Sequence, residues 1–164
     1  MRNDARAVLA ERARVLALPL SALDDGTGAA NEQVLIFRIG DTTLGVTMES
    51  VVAIVRAGMV TPLPRAQRPI FGIAAWRGRP LTVLMLDSRL PATDSTQFLI
   101  VLGDGRRAAA GVLVDEIEDT RSLDRDALSE SGSGPLSTFA IGITNDALLV
   151  LDAAQILRAA RSDR

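Results

Sequence analysis

Short apolar segments separated by turn signals are the feature of this sequence that most constrains its fold. They recur between residues 34 and 151, and most are too short to form an ordinary helix. In residues 44–48 every second side chain is large and apolar, a period typical of a strand with one buried face. Many short strands with few helices predict a mainly β chain folded into barrels or a sandwich.

The turn signals predict that successive segments pair as hairpins. The expected strand pairs are residues 34–39 with 44–48, 71–76 with 81–86, 98–102 with 108–114, and 138–144 with 148–151. Residues 51–55 fit a strand or a short helical turn. Residues 61–64 contain two prolines, which cannot sit in a central ladder, so we expect a loop there.

Both ends of the chain carry predicted helices. Residues 3–18 form an amphipathic pattern with the apolar stripe Leu9, Ala13, Leu16 and Ala17, and Pro19 ends it. A lone helix of this length is marginal in water, so it should dock on its own domain or on a partner. Residues 21–31 read as a linker, and residues 153–160 as a closing helix with Ile156 and Leu157 facing inward. We therefore divide the chain into 1–30, helix and linker, and 31–164, a double β domain.

The composition excludes several classes of chemistry. The chain has no His, Cys, Lys or Tyr, and all 18 basic residues are Arg. This removes the Ser-His-Asp triad, thiol and Schiff-base nucleophiles and ordinary zinc sites. A net charge of −2 and only five aromatic residues argue against nucleic-acid binding. We expect no catalytic residue, no cofactor and no bound metal.

The sequence also predicts a soluble, cytoplasmic protein. No apolar run approaches the roughly 20 residues that span a bilayer, so we expect no direct membrane insertion. Near the N-terminus, charged residues such as Asp4 and Glu11 interrupt the apolar stretch that a signal peptide requires.

Three polar clusters have both a chemical and a simpler structural interpretation. Gly103-Asp104-Gly105 faintly resembles a phosphate loop, but a tight hairpin turn explains it better. The acidic residues 115–119 could hold a cation or perform acid–base chemistry, yet a solvated strand end is favoured. The serines of residues 129–137 lack a base to activate them, and loop flexibility accounts for them.

Trp76-Arg77-Gly78 is the most distinctive tripeptide, because it contains the only Trp of the chain. Trp76 fits a core position at a strand end. Arg77 carries a rigid fork of donors suited to a carboxylate or to backbone carbonyls. Structural pinning and partner contact are equally compatible with this pattern.

Taken in order, several motifs resemble the CheW-like domain of bacterial chemosensory systems. They are Val51-Val52-Ala53-Ile54, Thr61-Pro62-Leu63-Pro64, residues 72–78 ending in Trp76-Arg77-Gly78, Val83-Leu84-Met85-Leu86, residues 111–117 with the pair Asp115-Glu116, and the closing Ile141-Gly142-Ile143, Leu149-Val150-Leu151-Asp152 and Ile156-Leu157. The resemblance runs from about residue 33 to 158. It implies two packed, SH3-like, five-stranded β-barrels.

The resemblance also implies a function. It indicates a non-enzymatic adaptor that couples the cytoplasmic tips of methyl-accepting chemoreceptors to the regulatory domain of a CheA-type histidine kinase, and that also forms homo-oligomers. Partner binding is predicted at Val51, Ile54, Pro64, Trp76, Arg77, Gly78 and Asp115.

The chain departs from the family pattern at Ala53, where an acidic residue is usual, and at Thr82 and Met85, where Pro and Asp are usual. Ala75-Trp76 also replaces the usual Asn-Leu before Arg77. These departures favour an adaptor of an alternative pathway, such as one controlling pili or gliding. Two other classes stay open: a small-ligand-binding β-barrel that uses the inter-barrel cleft, and a hydrolase or metal enzyme that uses only carboxylates.

Overall fold

The computed structural model describes residues 31–87, 97–104 and 107–161. Within these residues the chain forms eleven strands followed by one α-helix. They are β1 (Asn31–Ile39), β2 (Thr42–Thr47), β3 (Val51–Arg56), β4 (Val60–Pro62), β5 (Ile70–Trp76), β6 (Arg79–Leu84), β7 (Phe98–Asp104), β8 (Arg107–Val114), β9 (Glu116–Asp124), β10 (Ala140–Ile143), β11 (Leu149–Leu151) and α1 (Ala153–Arg161). Short 3₁₀ turns occupy Met48–Ser50, Arg125–Ala127 and Ser137–Phe139.

The strands form two sheets, as expected for a double-barrel chain. The first sheet has the order β10-β11-β2-β1-β9 and combines strands from both ends of the domain. Paired backbone hydrogen bonds of 2.9 Å between Ser129 and Ile143 connect β10 with the segment that follows β9, so this sheet curls back on itself. The second sheet has the order β3-β7-β8-β6-β5-β4, and residues 57–59 join its two outer strands.

The largest hydrophobic cluster binds the two sheets and α1 together. It contains Phe37 and Leu44 from the first sheet, Ile100 and Val112 from the second, and Ile156 from the helix. Fully burying a side chain of this size contributes about 1.5 to 3 kcal/mol, so the cluster accounts for the close packing of the sheets. A separate cluster that includes Leu81, Val83 and Val101 lies within the second sheet.

α1 begins where the sequence predicted it. The Asp152 carboxylate accepts a hydrogen bond from the Ala154 backbone N–H at 2.9 Å and caps the first turn. Ile156 is fully buried, and Leu157 packs half-buried against the same cluster. Arg158 and Arg161 lie in the last turn, where positive charge favours the helix dipole.

The four predicted hairpins are present, with β1–β2, β5–β6, β7–β8 and β10–β11 each paired antiparallel. Residues 51–55, for which the sequence allowed a strand or a short helical turn, form a strand. Asp104 pairs with Arg107 at the end of the β7–β8 hairpin, so the turn interpretation of this glycine-bearing segment is correct. The predicted N-terminal helix, residues 3–18, lies outside the described residues.

Other sequence predictions were wrong in detail. The second sheet has six strands rather than five, because residues 60–62 form the edge strand β4 instead of a loop. Pro62 is tolerated there since an edge strand leaves one row of backbone groups unpaired. Strand β9 was missed altogether. Its exposed face is almost wholly polar, and a register shift opposite Ile36 and Phe37 interrupts the alternation.

Several predicted boundaries also shift by one or a few residues; the expected strand 81–86, for example, is Arg79–Leu84. Asn31 begins β1 rather than ending the linker. Met48 lies in a 3₁₀ turn rather than in the strand before it, and Phe139 likewise precedes β10. Among the described residues, no helix has the length and apolar character required to cross a membrane.

Candidate partner-binding surface

The β5–β6 hairpin places Trp76, Arg77 and Gly78 at the tip of the second sheet. Trp76 pairs with Arg79 as the last rung of the ladder, which leaves Arg77 and Gly78 as a two-residue loop. Their φ angles are 49° and 77°, and positive values at both central positions define a type I′ turn. Glycine adopts that conformation freely, whereas arginine does so at a cost.

Arg77 rests against the ring of Trp76. Its Cζ atom lies 5.1 Å from the centroid of the indole, within the range of a cation–π interaction. Trp76 itself is half-buried and packs on the core of the second sheet. Arg77 is exposed, and within the described part of the chain its guanidinium pairs with no carboxylate. The ring therefore holds a positive charge outward at the tip.

The second sheet also exposes large apolar side chains. Four stand out among the described residues: Ile54 at 39% exposed, Met59 at 91%, Leu63 at 38% and Ile73 at 37%. Ile54 lies on β3, Met59 on the connection to β4, Leu63 directly after β4, and Ile73 opposite Thr61 in the β4–β5 pairing. Met59, Leu63 and Ile73 lie on or next to the β4–β5 pair, whereas Ile54 lies on β3, at the other end of the strand order. We call the four residues together the 54–73 apolar surface. Exposed apolar groups of this kind mark interaction sites.

Formal charge divides sharply between the two sheets. The described residues between 51 and 114, which hold the second sheet, contain six Arg and two Asp, a net charge of +4. Residues 31–50 and 115–161, which hold the first sheet and α1, contain five Arg and twelve acidic residues, a net charge of −7. The apolar surface therefore sits in a basic environment that would attract an acidic partner.

The first sheet and the turn that follows it contain several ion pairs: Arg38 with Glu116 and Glu118, Arg121 with Asp146 at 2.6 Å, and Arg125 with Glu32 at 3.6 Å. In the second sheet, Arg56 instead lies over the ring of Phe98, with 5.7 Å between its Cζ atom and the ring centroid. Its guanidinium charge, like that of Arg77, is not neutralised within the described chain.

Asp115 has a different environment from the other predicted site residues. It lies in the crossover between β8 and β9, and both its carboxylate oxygens are engaged within the chain. Oδ2 accepts the Gly40 backbone N–H at 2.6 Å, and Oδ1 accepts the Gln97 side-chain amide at 3.2 Å. Through these bonds Asp115 connects the crossover to the segments that contain Gly40 and Gln97.

The acidic residues 115–119 do not converge into a site. No group of three residues able to hold a metal ion occurs in the described ranges. Glu116, Glu118 and Asp119 are exposed, as expected for a solvated strand. Two open cavities of about 520 and 570 Å³ lie beside Asp146 and beside α1, but their linings are mostly polar or charged. Small-ligand pockets are mostly apolar.

The pKa of Asp146 lies clearly below its ordinary value. Arg121 donates a hydrogen bond to its carboxylate, Thr144 donates another at 2.5 Å, and together they lower the pKa of Asp146 from 3.8 to about 2. Both bonds favour the charged form. An exposed ion pair of this kind fixes a turn and does not resemble a catalytic acid.

Six of the seven predicted residues lie in or next to the second sheet, at separate places along it. Trp76, Arg77 and Gly78 form the hairpin tip, Val51 and Ile54 lie on β3, and Pro64 follows β4. Val51 is half-buried against the large cluster, so it offers less surface than Ile54. Sequence reasoning missed Met59, Leu63 and Ile73. A count of charge by segment would have drawn attention to their basic surroundings.

Comparison with known proteins identifies the family. The model of the CheW-like domain matches residues 33–161. Protein FrzA of Myxococcus xanthus is 35% identical over 95 residues, covering 56% of this chain and 59% of FrzA. The probable chemotaxis protein CheW of Rhizobium etli is 30% identical over 92 residues, covering 54% of this chain and 59% of that protein. In each case the match thus spans less than two thirds of the relative's length.

A solved structure shows the same fold. The scaffolding protein TtCheW from Thermoanaerobacter tengcongensis aligns with a TM-score of 0.63 and 18% identity, covering 79% of this chain and 88% of that one. A two-sheet chain that exposes apolar side chains on a positively charged sheet fits the class of interaction domains. This chain belongs to the CheW-like domain family, whose matched relatives include a chemotaxis protein and a scaffold.

Proposed function

We propose that this protein is a non-enzymatic, cytoplasmic adaptor that couples chemoreceptor tips to the regulatory domain of a CheA-type histidine kinase. The observation that carries the proposal is the placement of the 54–73 apolar surface on the basic sheet, which also carries Arg56 and Arg77, each stacked on an aromatic ring. Family membership supplies the class of partner.

The second sheet supplies both components of a binding surface. Apolar anchors such as Ile54 and Ile73 lose contact with water when a partner covers them, and this provides most of the affinity. Arg77 and Arg79 at the hairpin tip would then set orientation by pairing with partner carboxylates. Gly78 and Pro64 shape the two loops that border this surface. Asp115 would support this surface indirectly, because its hydrogen bonds hold the crossover between β8 and β9 in place.

Titration calorimetry with a CheA-type regulatory domain tests the proposal. We expect Ile73→Asp and Arg77→Ala each to weaken binding by about 1 to 4 kcal/mol, the range typical of hot-spot residues. Arg125→Ala is the matched control, because Arg125 is equally exposed but pairs with Glu32 in the acidic half. Equal affinity of all three variants and the parent would place the kinase-binding surface elsewhere.

Chemoreceptor binding requires a separate measurement. A soluble receptor-tip fragment should bind the same protein, and a ternary mixture should sediment as one complex. Failure of the tip fragment to bind, with kinase binding intact, would restrict the adaptor proposal to the kinase side.

A further inference from the structure

We propose that the N-terminal segment, residues 3–18, docks on the 54–73 apolar surface of its own chain. The surface is the only group of exposed large apolar side chains among the residues that the structure describes. Met59 is almost fully exposed although nothing in its connecting segment requires an apolar residue. The inference concerns this chain alone and does not depend on the identity of any partner.

The sequence of residues 3–18 contains an apolar stripe that could pack against this surface. Its sequence places Leu9, Ala13, Leu16 and Ala17 on one helical face, with Glu11 and Arg14 off that face. An isolated helix of this length is marginally stable in water, and most helical stability comes from burying such a stripe. The stripe therefore requires an apolar surface, and the described residues offer this one.

The chain is long enough to reach it. β1 starts at Asn31, and its residue Val34 pairs with Thr47, which leads through one 3₁₀ turn into β3. The start of β1 thus lies near the start of the strand that carries Ile54. Residues 19–30 can extend to about 40 Å, with a mean separation of about 20 Å for a flexible chain.

Tethering favours this occupant over a second copy. A segment joined by a linker of only twelve residues experiences an effective concentration on the order of millimolar. A free copy in solution at micromolar concentration competes poorly with it. Even a weak apolar contact is then sufficient to cover the surface until a partner displaces the segment.

Thiol labelling of the full chain tests the inference directly, because the protein has no Cys of its own. Met59→Cys introduces a single reporter within the surface, and Ser122→Cys introduces a second one on the exposed face of β9. Each is combined with Leu9→Ser/Leu16→Ser, which removes the stripe, or with Glu11→Ser/Arg14→Ser, which alters the other face without changing net charge.

We expect removal of the stripe to accelerate labelling at Met59→Cys about tenfold, as for release of a locally covered site. The control pair should leave that rate unchanged, and labelling at Ser122→Cys should not respond to either pair. An unchanged rate at Met59→Cys overturns the inference. Acceleration at both reporters also overturns it, because the segment would then belong to the global fold. Protection that depends on protein concentration instead assigns the surface to a second copy.

Discussion

The Asp115 carboxylate accepts the backbone N–H of Gly40 at 2.6 Å and so joins the crossover between the sheets to the first hairpin. The backbone reinforces this link, because the Asp115 N–H donates to the Arg38 carbonyl at 2.9 Å. Gly40 has a φ of 58°, which places its N–H in the turn at the end of β1. One residue therefore fixes where β8 gives way to β9 relative to the β1–β2 turn.

We expect Asp115→Ala to lower the free energy of unfolding by about 1 to 2 kcal/mol, since the N–H of Gly40 and the amide of Gln97 both lose an acceptor. Urea unfolding measures the change. Asp126→Ala is the control, because Asp126 is exposed and only its backbone N–H is bonded, to Asp124. Asp115→Ala unfolding at the same urea concentration as Asp126→Ala would show that these bonds add nothing to stability.

The pKa of Asp146 gives a prediction with a definite sign. Arg121 and Thr144 lower it from 3.8 to about 2 in the folded chain. The resulting stabilisation is present above pH 3.8 and is lost as the pH falls toward 2. Over this interval the carboxyl of the unfolded chain is protonated while that of the folded chain is still charged. We expect Arg121→Gln to raise the pKa of Asp146 toward 3.8 in a carboxyl NMR titration. Arg125→Gln should not move it, and a value still near 2 in Arg121→Gln would assign the shift to Thr144.

Gly72 controls how closely the edge strand β4 approaches β5. A Cβ atom at this position would lie 2.9 Å from the Thr61 carbonyl carbon and 3.0 Å from the Pro62 Cα, both of them backbone atoms. Since the strand must move to admit it, we expect Gly72→Ala to cost about 1 to 3 kcal/mol. Gly132→Ala is the control, because nothing lies within 4 Å of a Cβ there. Amide exchange should accelerate at Thr61 in Gly72→Ala alone.

Deletion of residues 1–30 should leave the two sheets folded. β1 starts at Asn31, the family match starts at residue 33, and the core clusters of the described residues are formed from Val34 onward. We expect a cooperative thermal transition shifted by only a few degrees, as when a small apolar contact is lost. A non-cooperative or aggregated product would place the boundary of the domain earlier in the chain.

Much of the fold could be predicted from local patterns in the sequence. The β1–β2 and β7–β8 hairpins follow from alternation and glycine turns, because both signals lie within a few residues of each other. Strand β9 could not be predicted in this way. Its inward residues, such as Ile117 and Leu123, do not alternate regularly, and its pairing with β1 joins segments far apart in sequence. Long-range pairing leaves no local signal.

The candidate site was predictable only where a motif marked it. Trp76-Arg77-Gly78 is conspicuous in the sequence, and the hairpin places it at an exposed tip. Met59 lies outside every motif, and the motifs that contain Leu63 and Ile73 do not single these residues out, because an exposed apolar residue and a buried one look alike until the strands are placed. Asp115 is a different case. Its motif suggested a partner contact, whereas its carboxylate is used within the chain.

Arg77 offers a prediction that separates binding from stability. Its φ of 49° precedes a Gly78 with a φ of 77°, and Asn-Gly is the pair that this turn type favours most. Arg77→Asn and Arg77→Ala both lose the contact with the Trp76 ring, but only Asn tolerates positive φ well. We therefore expect Arg77→Asn to be more stable than Arg77→Ala by about 1 kcal/mol in urea unfolding. Both variants should lose the same affinity for the kinase regulatory domain, because both lack the guanidinium. Equal stability of the two would show that the turn relaxes to avoid the strain, and full affinity in Arg77→Asn would exclude Arg77 from the binding surface.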